Sequence, residues 1–162
     1  LQLDPFLPMR FELEYVGEDS KRHRPFMLHR AIFGSLERFF GVYLEHCEGF
    51  YPTWLAPTQV YLVPIREAHQ AFAKEVAEDL HKRGFRVVND MEDSNMGGKV
   101  RKATVARVPY IAVIGDREMQ SRSLALKTSK GVDLGTHAVS FFTSKLEEEV
   151  KTRSLHPLIT KV

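Results

Sequence analysis

Cysteine is nearly absent: Cys47 is the one thiol in 162 residues, so no internal disulfide can hold this chain. Stability must come from a buried core, and a reducing, cytoplasmic setting is the expectation. Long apolar runs are absent as well. None approaches the roughly 18 residues of a membrane-spanning helix, and no secretory leader opens the sequence, so no membrane partner is expected. Charge of one sign is scarce: 23 Lys and Arg against 21 Asp and Glu leave a net charge of +2. That balance does not by itself single out a polyanionic partner. Internal repeats and low-complexity tracts are missing. So are H-E-x-x-H and C-x-x-C spacings, which removes the familiar zinc signatures. No serine–histidine–aspartate or cysteine–histidine pattern suggests a nucleophile. Gly97-Gly98-Lys99 lacks the rest of a Walker A loop. Residue 1 is Leu and not an initiator Met; the expectation is a chain cut from something longer, or one shown without its beginning.

What is present is the composition of a soluble globular protein, 43% hydrophobic and 27% charged. A chain of 162 residues makes one domain, or one domain with a fragment of another. The charge is unevenly spread. Residues 91–130 hold Lys99, Arg101, Lys102, Arg107, Arg117, Arg122, Lys127 and Lys130 against Glu92, Asp93, Asp116 and Glu118. That segment is +4, and the remainder is therefore −2. A local basic field attracts polyanions, although a merely solvated basic face gives the same count.

Hydrophobic periodicity predicts the elements. Residues 1–15 read as extended, with a corner at Pro5 and Pro8 and alternation of Phe11, Leu13 and Tyr15 with Glu12 and Glu14. Pro25–Phe33 reads as a buried strand carrying His29 and Arg30. Ser35 is placed to cap a helix whose apolar stripe is Leu36, Phe39, Phe40, Tyr43, Leu44 and Cys47, ended by Gly49. Pro52 and Pro57 then mark a linker, docked by Tyr51, Trp54 and Leu55. Beyond it come a strand at 59–65, a helix at 67–83, a strand at 85–90, a helix at 97–107, strands at 109–115 and 123–128, and a helix at 139–153. This order predicts an α/β fold: a mixed β-sheet flanked by helices, with the apolar strand 109–115 at its centre.

Several side chains invite chemistry. Arg38, on the first turn of its helix, is suited to bidentate pairing with phosphate, or equally to a helix ion pair with Glu37 or Glu45. His29 alone in an apolar strand reads as a core histidine. The cations from Lys99 to Arg107, followed by Tyr110, suit single-stranded RNA, and Glu118 could accept from base amino groups.

Phe26-Met27-Leu28-His29-Arg30-Ala31-Ile32-Phe33-Gly34-Ser35-Leu36-Glu37-Arg38-Phe39-Phe40 is more specific than any of these. It resembles motif 3 of the class II aminoacyl-tRNA synthetases, in the form found in the threonyl-tRNA synthetase family. Leu7-Pro8-Met9-Arg10-Phe11, Pro52-Thr53-Trp54-Leu55-Ala56-Pro57-Thr58, Val108-Pro109-Tyr110 and Ile114-Gly115-Asp116-Arg117-Glu118 extend the resemblance over residues 2–154. It implies antiparallel strands and the motif 3 helix of a truncated class II catalytic core at 1–50, a linker at 51–57 and an anticodon-binding domain at 58–162.

The implied reaction joins threonine and ATP as threonyl-adenylate and then passes threonine to tRNA(Thr), in a homodimeric full-length enzyme using Mg2+ and Zn2+. The resemblance places Arg38 on ATP phosphate as the catalytic cation, and Gln2 and Ser35 beside ATP and threonine. It makes His29 a zinc ligand, with its companion ligands upstream of Leu1. The chain alone is expected to be inactive and to hold no cofactor tightly. Asp93, Arg107, Glu118 and Lys127 fall on base-reading positions for the anticodon stem-loop, and Lys99, Arg101 and Lys102 are expected along the RNA backbone. Asp93 stands where the family usually has Asn, and Lys127 where it has Arg, so the donor pattern differs. Two rival readings compete: a stand-alone synthetase-like module that binds RNA or protein without catalysis, and a small nucleotide-binding α/β domain with no RNA role.

Overall fold

A computed structural model describes residues 1–92 and 94–159. The chain divides into two compact units, 1–43 and 44–162.

In the first unit, β1 (Gln2–Asp4) pairs antiparallel with β4 (Met27–His29), and β2 (Tyr15–Val16) with β3 (Arg22–His23). A short helix, α1 (Phe6–Arg10), occupies the stretch expected to be extended. The Asp4 carboxylate explains it: Oδ1 accepts the N–H groups of Phe6 and Leu7 at 2.8 and 3.0 Å, satisfying two donors that a helix start leaves open. Pro8 sits in the first turn, where a missing N–H costs nothing. The buried strand expected over 25–33 shrinks to three residues, and Leu28 is 68% exposed. Its partner residue Leu3 and the neighbouring Phe6, Phe26 and Phe33 are exposed as well. Helix α2 (Leu36–His46) starts as expected, with Arg38 N–H donating to Ser35 Oγ at 3.3 Å.

The second unit holds a five-stranded sheet of order β6-β5-β7-β8-β9. Its strands are β5 (Val60–Pro64), β6 (Val87–Asn89), β7 (Tyr110–Ile114), β8 (Ser123–Lys127) and β9 (Asp133–Ala138). β5 runs parallel to β6 and β7; β8 runs antiparallel to β7 and β9. All five residues of β7 are buried, as expected for a central strand. Helices α3 (Gln70–Lys82) and α6 (Val139–Thr152) cover one face: Phe72, Val76, Leu80, Phe142 and Leu146 pack on Val60, Leu62, Tyr110, Ala112, Leu124 and Leu126. Helix α4 (Met96–Val105) covers part of the other face through Ala103 on Tyr61, Val63, Ile111 and Val113. The helix expected at 67–83 opens with a 3-10 turn, Glu67–His69, and periodicity missed the short helix α5 (Asp116–Ser121) and β9.

The segment before β5 is held in part through its backbone. Arg86 donates to the carbonyls of Trp54 and Ala56, both at 2.9 Å, and Gln59 Nε2 donates to the Thr53 carbonyl at 3.0 Å. Helices α4, α5 and α6 share an unusual ending. Arg107, Arg122 and Arg153 take left-handed φ values of 53°, 48° and 53° where glycine is the usual choice. Each guanidinium lies over an aromatic ring: Arg107 over Phe50 at 4.8 Å, Arg122 over Phe72 at 5.5 Å and Arg153 over Trp54 at 5.9 Å.

Phe142 is fully buried and meets Tyr110 edge-on at 5.5 Å. Phe142→Ala is expected to destabilise the second unit by about 3–5 kcal/mol, read from urea unfolding followed by the fluorescence of Trp54, the sole tryptophan.

Candidate nucleic-acid interface

Sheet register makes one half-face available. Leu124 and Leu126 point into the core under α3 and α6, so Ala125 and Lys127 face the other way. Across the ladder Ala125 stands opposite Thr136, and Ser123 opposite Ala138. On this face α4 packs against β5 and β7. Lys127, Thr136 and Ala138 of β8 and β9 are exposed, and Ala125 is half-buried. A strip of small side chains bordered by cations lets a polyanionic chain approach the strands closely.

Around the strip the expected RNA residues take definite places. Lys127 pairs in register with Ile111 at the entry of β7. Arg107 precedes that entry and is exposed. Glu118 lies past the opposite end of β7, in α5, and is half-buried. One of its oxygens accepts the Gly115 N–H at 3.0 Å, closing the first turn of α5. Arg107 and Lys127 thus share one end of the strand and Glu118 takes the other. Asp93 lies outside the described residues.

The α4 cations divide. Arg101 and Lys102 are exposed, and Lys102 Nζ pairs with Glu92 at 2.7 Å. Lys99, expected on the RNA backbone, is 4% exposed and needs correction. Its ammonium donates to the Asp90 and Pro64 carbonyls at 3.0 and 3.3 Å, so it ties α4 to the ends of β5 and β6. Beside it the buried Asp90 accepts from Tyr61 Oη at 2.6 Å and from Glu92 N–H at 3.1 Å. Burial alone would raise the Asp90 carboxyl. The Tyr61 and Glu92 hydrogen bonds and the charges of Lys102 and Lys99 outweigh it and hold the group below its ordinary value. Burial and this carboxylate together push the Tyr61 hydroxyl pKa up.

Two features escaped sequence reasoning. Phe50 lies under two cations, Arg107 Cζ and Lys130 Nζ, each 4.8 Å from its centroid. Both cations line a cleft of about 400 Å³ together with Phe50, Thr53, Pro109, Val132 and Ile159. No periodic signal marks this cluster, because its members come from four separate segments. The second is His69, 1% exposed, whose Nδ1 accepts the Arg66 N–H at 3.2 Å and whose Nε2 lies 3.0 Å from Asp116 Oδ1. With Nδ1 accepting, Nε2 carries the proton and donates to the carboxylate, which holds the Asp116 pKa below its ordinary value.

The residues expected to serve catalysis lie in the first unit. Gln2 is exposed on β1, opposite His29 on β4. His29 Nε2 contacts Asp4 Oδ2 at 3.0 Å. It does not sit among core side chains, because the strand carrying it is not covered. Among the described residues no group of three or more His, Cys, Asp or Glu could hold a metal ion. Ser35 Oγ donates to Glu37 at 2.7 Å, and Arg38 is exposed on the first turn of α2. Among the described residues no helix is long and apolar enough to cross a membrane.

Residues 59–149 match the family model of the anticodon-binding domain. The chain is 46% identical over 153 residues to a threonine–tRNA ligase of Pseudomonas syringae pv. syringae, covering 94% of this chain and 67% of that one. The chain belongs to the threonine–tRNA ligase family. It is also 44% identical over 155 residues to the threonine–tRNA ligase of Caldanaerobacter subterraneus subsp. tengcongensis, across 96% of its own length. It spans about a quarter (24%) of that relative's length. Among solved structures it superposes on the RNA binding domain of threonyl-tRNA synthetase from Cryptosporidium parvum Iowa II, with a TM-score of 0.71 and 33% identity. That match covers 91% of this chain and 37% of the other. The mixed five-stranded sheet with flanking helices is therefore the fold expected of a class II anticodon-binding domain.

The Asp90 carboxyl titrates below its unfolded value, so the stability it carries is complete above about pH 4–5 and is lost as pH falls through the folded value. Tyr61→Phe removes the principal hydrogen bond and is expected to move this acid loss to higher pH. Urea midpoints recorded between about pH 6 and pH 2 for both proteins would check it.

Proposed function

We propose that this chain supplies anticodon recognition to a threonine–tRNA ligase, binding the anticodon stem-loop of tRNA(Thr) across the open β8–β9 face. The observation that carries this reading is the half-face left uncovered by α4 and bordered by Lys127 and Arg107, inside the segment that matches the anticodon-binding family. Phosphates would be held by Arg101, Lys102 and Lys127, whose charges release counterions on binding. Arg107 and Glu118, at opposite ends of β7, would each read a base edge, as donor and acceptor respectively. Asp93 belongs to the same proposed set.

In the longer protein, residues 1–50 would form the end of the catalytic domain, 51–57 the linker and 58–162 the anticodon domain. The uncovered apolar side chains of the first unit support this division, since a missing second layer would bury them. There the enzyme would join threonine and ATP to threonyl-adenylate and transfer threonine to tRNA, as a cytoplasmic homodimer. Arg38 would hold ATP phosphate, with Gln2 and Ser35 at the adenylate. His29 would be one zinc ligand beside others supplied upstream. Bound Zn2+ would supply a Lewis acid for the threonine amino and hydroxyl groups, and Mg2+ would accompany ATP.

Binding of an anticodon stem-loop RNA is expected to weaken roughly tenfold or more between about 50 and 200 mM salt, and Arg107→Ala to cost about 1–3 kcal/mol. Fluorescence anisotropy reads both, and salt-independent binding or an unaffected variant removes this face from RNA recognition. The 162-residue chain is also expected to show no threonine-dependent ATP–pyrophosphate exchange, and measurable exchange would contradict the catalytic division.

A further inference from the structure

Arg107 is held from outside its own helix. It follows Ala106, the C-cap of α4, in a left-handed conformation that a non-glycine residue adopts at a cost. Its side chain runs back to the corner that follows α2. At that corner Gly49, with φ +75°, has no Cβ, and an added one would overlap Arg107 Nη1 and lie 3.0 Å from its Cδ and Cζ. The next residue, Phe50, presents its ring to the guanidinium at 4.8 Å. The same ring takes Lys130 Nζ at 4.8 Å, so one aromatic gathers two cations that would otherwise repel each other. Among the described residues no carboxylate lines the cleft these groups share, so no described acid neutralises their charge there.

We propose that the Gly49–Phe50 corner is the positioning element of Arg107: Gly49 supplies the notch and Phe50 the platform that aim the guanidinium at RNA. The inference rests on Arg107 being an RNA contact, and it adds two residues that do not touch the RNA. It also ties the placement of that cation to the segment leaving α2. A substitution at Gly49 acts twice: its Cβ evicts the guanidinium, and its backbone must hold a positive φ.

The test measures the Arg107 Nε–Hε NMR signal and the affinity for an anticodon stem-loop RNA in the wild-type chain, G49A, F50L, R107A and G49A/R107A. G49A is expected to shift the Arg107 signal and to weaken RNA binding roughly as far as R107A, about tenfold. In the R107A background G49A should add no further loss. F50L leaves the backbone at 49 untouched and should weaken binding roughly threefold, again only when Arg107 is present. An unmoved Arg107 signal in G49A overturns the proposal. So does an equal loss of affinity in the R107A background, which would mark the corner as a packing element only. If R107A binds RNA like the wild type, the RNA reading of Arg107 fails. The corner then positions nothing functional, and the unchanged R107A affinity distinguishes this failure from the other two.

Discussion

Strand β7 is the constraint on which the second unit depends. It hydrogen-bonds on both edges, to β5 in parallel and to β8 in antiparallel, and both its faces are buried. Its first residue, Tyr110, donates its hydroxyl to Glu149 of α6 at 2.6 Å, deep in the interior. The same carboxyl oxygen accepts the Leu158 N–H at 3.1 Å, so strand, helix and C-terminal segment converge on one buried side chain. Burial and the neighbouring carboxylate push the Tyr110 hydroxyl pKa up, which keeps it a donor across the working pH range. A strand pinned so firmly acts as a ruler. Its five residues hold the entry side, with Arg107 and Lys127, roughly 13 Å of rise from the exit side, with Glu118. An extended, unstacked RNA loop can span such a separation, whereas a single base cannot.

Much of this fold was legible in the residues. The apolar runs of β5 and β7, the stripe Phe72, Val76 and Leu80, and the spacing of Phe142 and Leu146 each encode their own element, because burial repeats with the period of the backbone. Helix α1 was obscured because Pro5 and Pro8 are turn signals as well as first-turn residues, and only the reach of the Asp4 carboxylate decides between the two. β9 hides behind Gly135 and an irregular step at Leu126/Lys127, which break the alternation. Lys99 looked like one cation among several. Yet it lies one turn from the buried Ala103, and that i, i+4 relation already placed it on the inward face.

The interface was legible to a different degree. Local patterning identified a basic stretch and a central strand, and resemblance assigned the base-reading positions. Neither could show that β8 and β9 turn one face outward, because that depends on how far α4 extends over the sheet. The Phe50 cluster was beyond reach for the same reason: its ring and its two cations meet only through tertiary structure.

Arginine as a helix stop has a consequence for how mutants at these sites behave. At 107, 122 and 153 the backbone prefers glycine and the aromatic partner prefers arginine, so each side chain holds its own main chain in an uncomfortable bend. Truncation to alanine removes the clasp but keeps the bend, while glycine relaxes the bend and drops the clasp. The two replacements separate what the backbone wants from what the side chain does. At Arg107 the glycine variant therefore offers a clean loss of contact, and a stop signal serves as its own internal control.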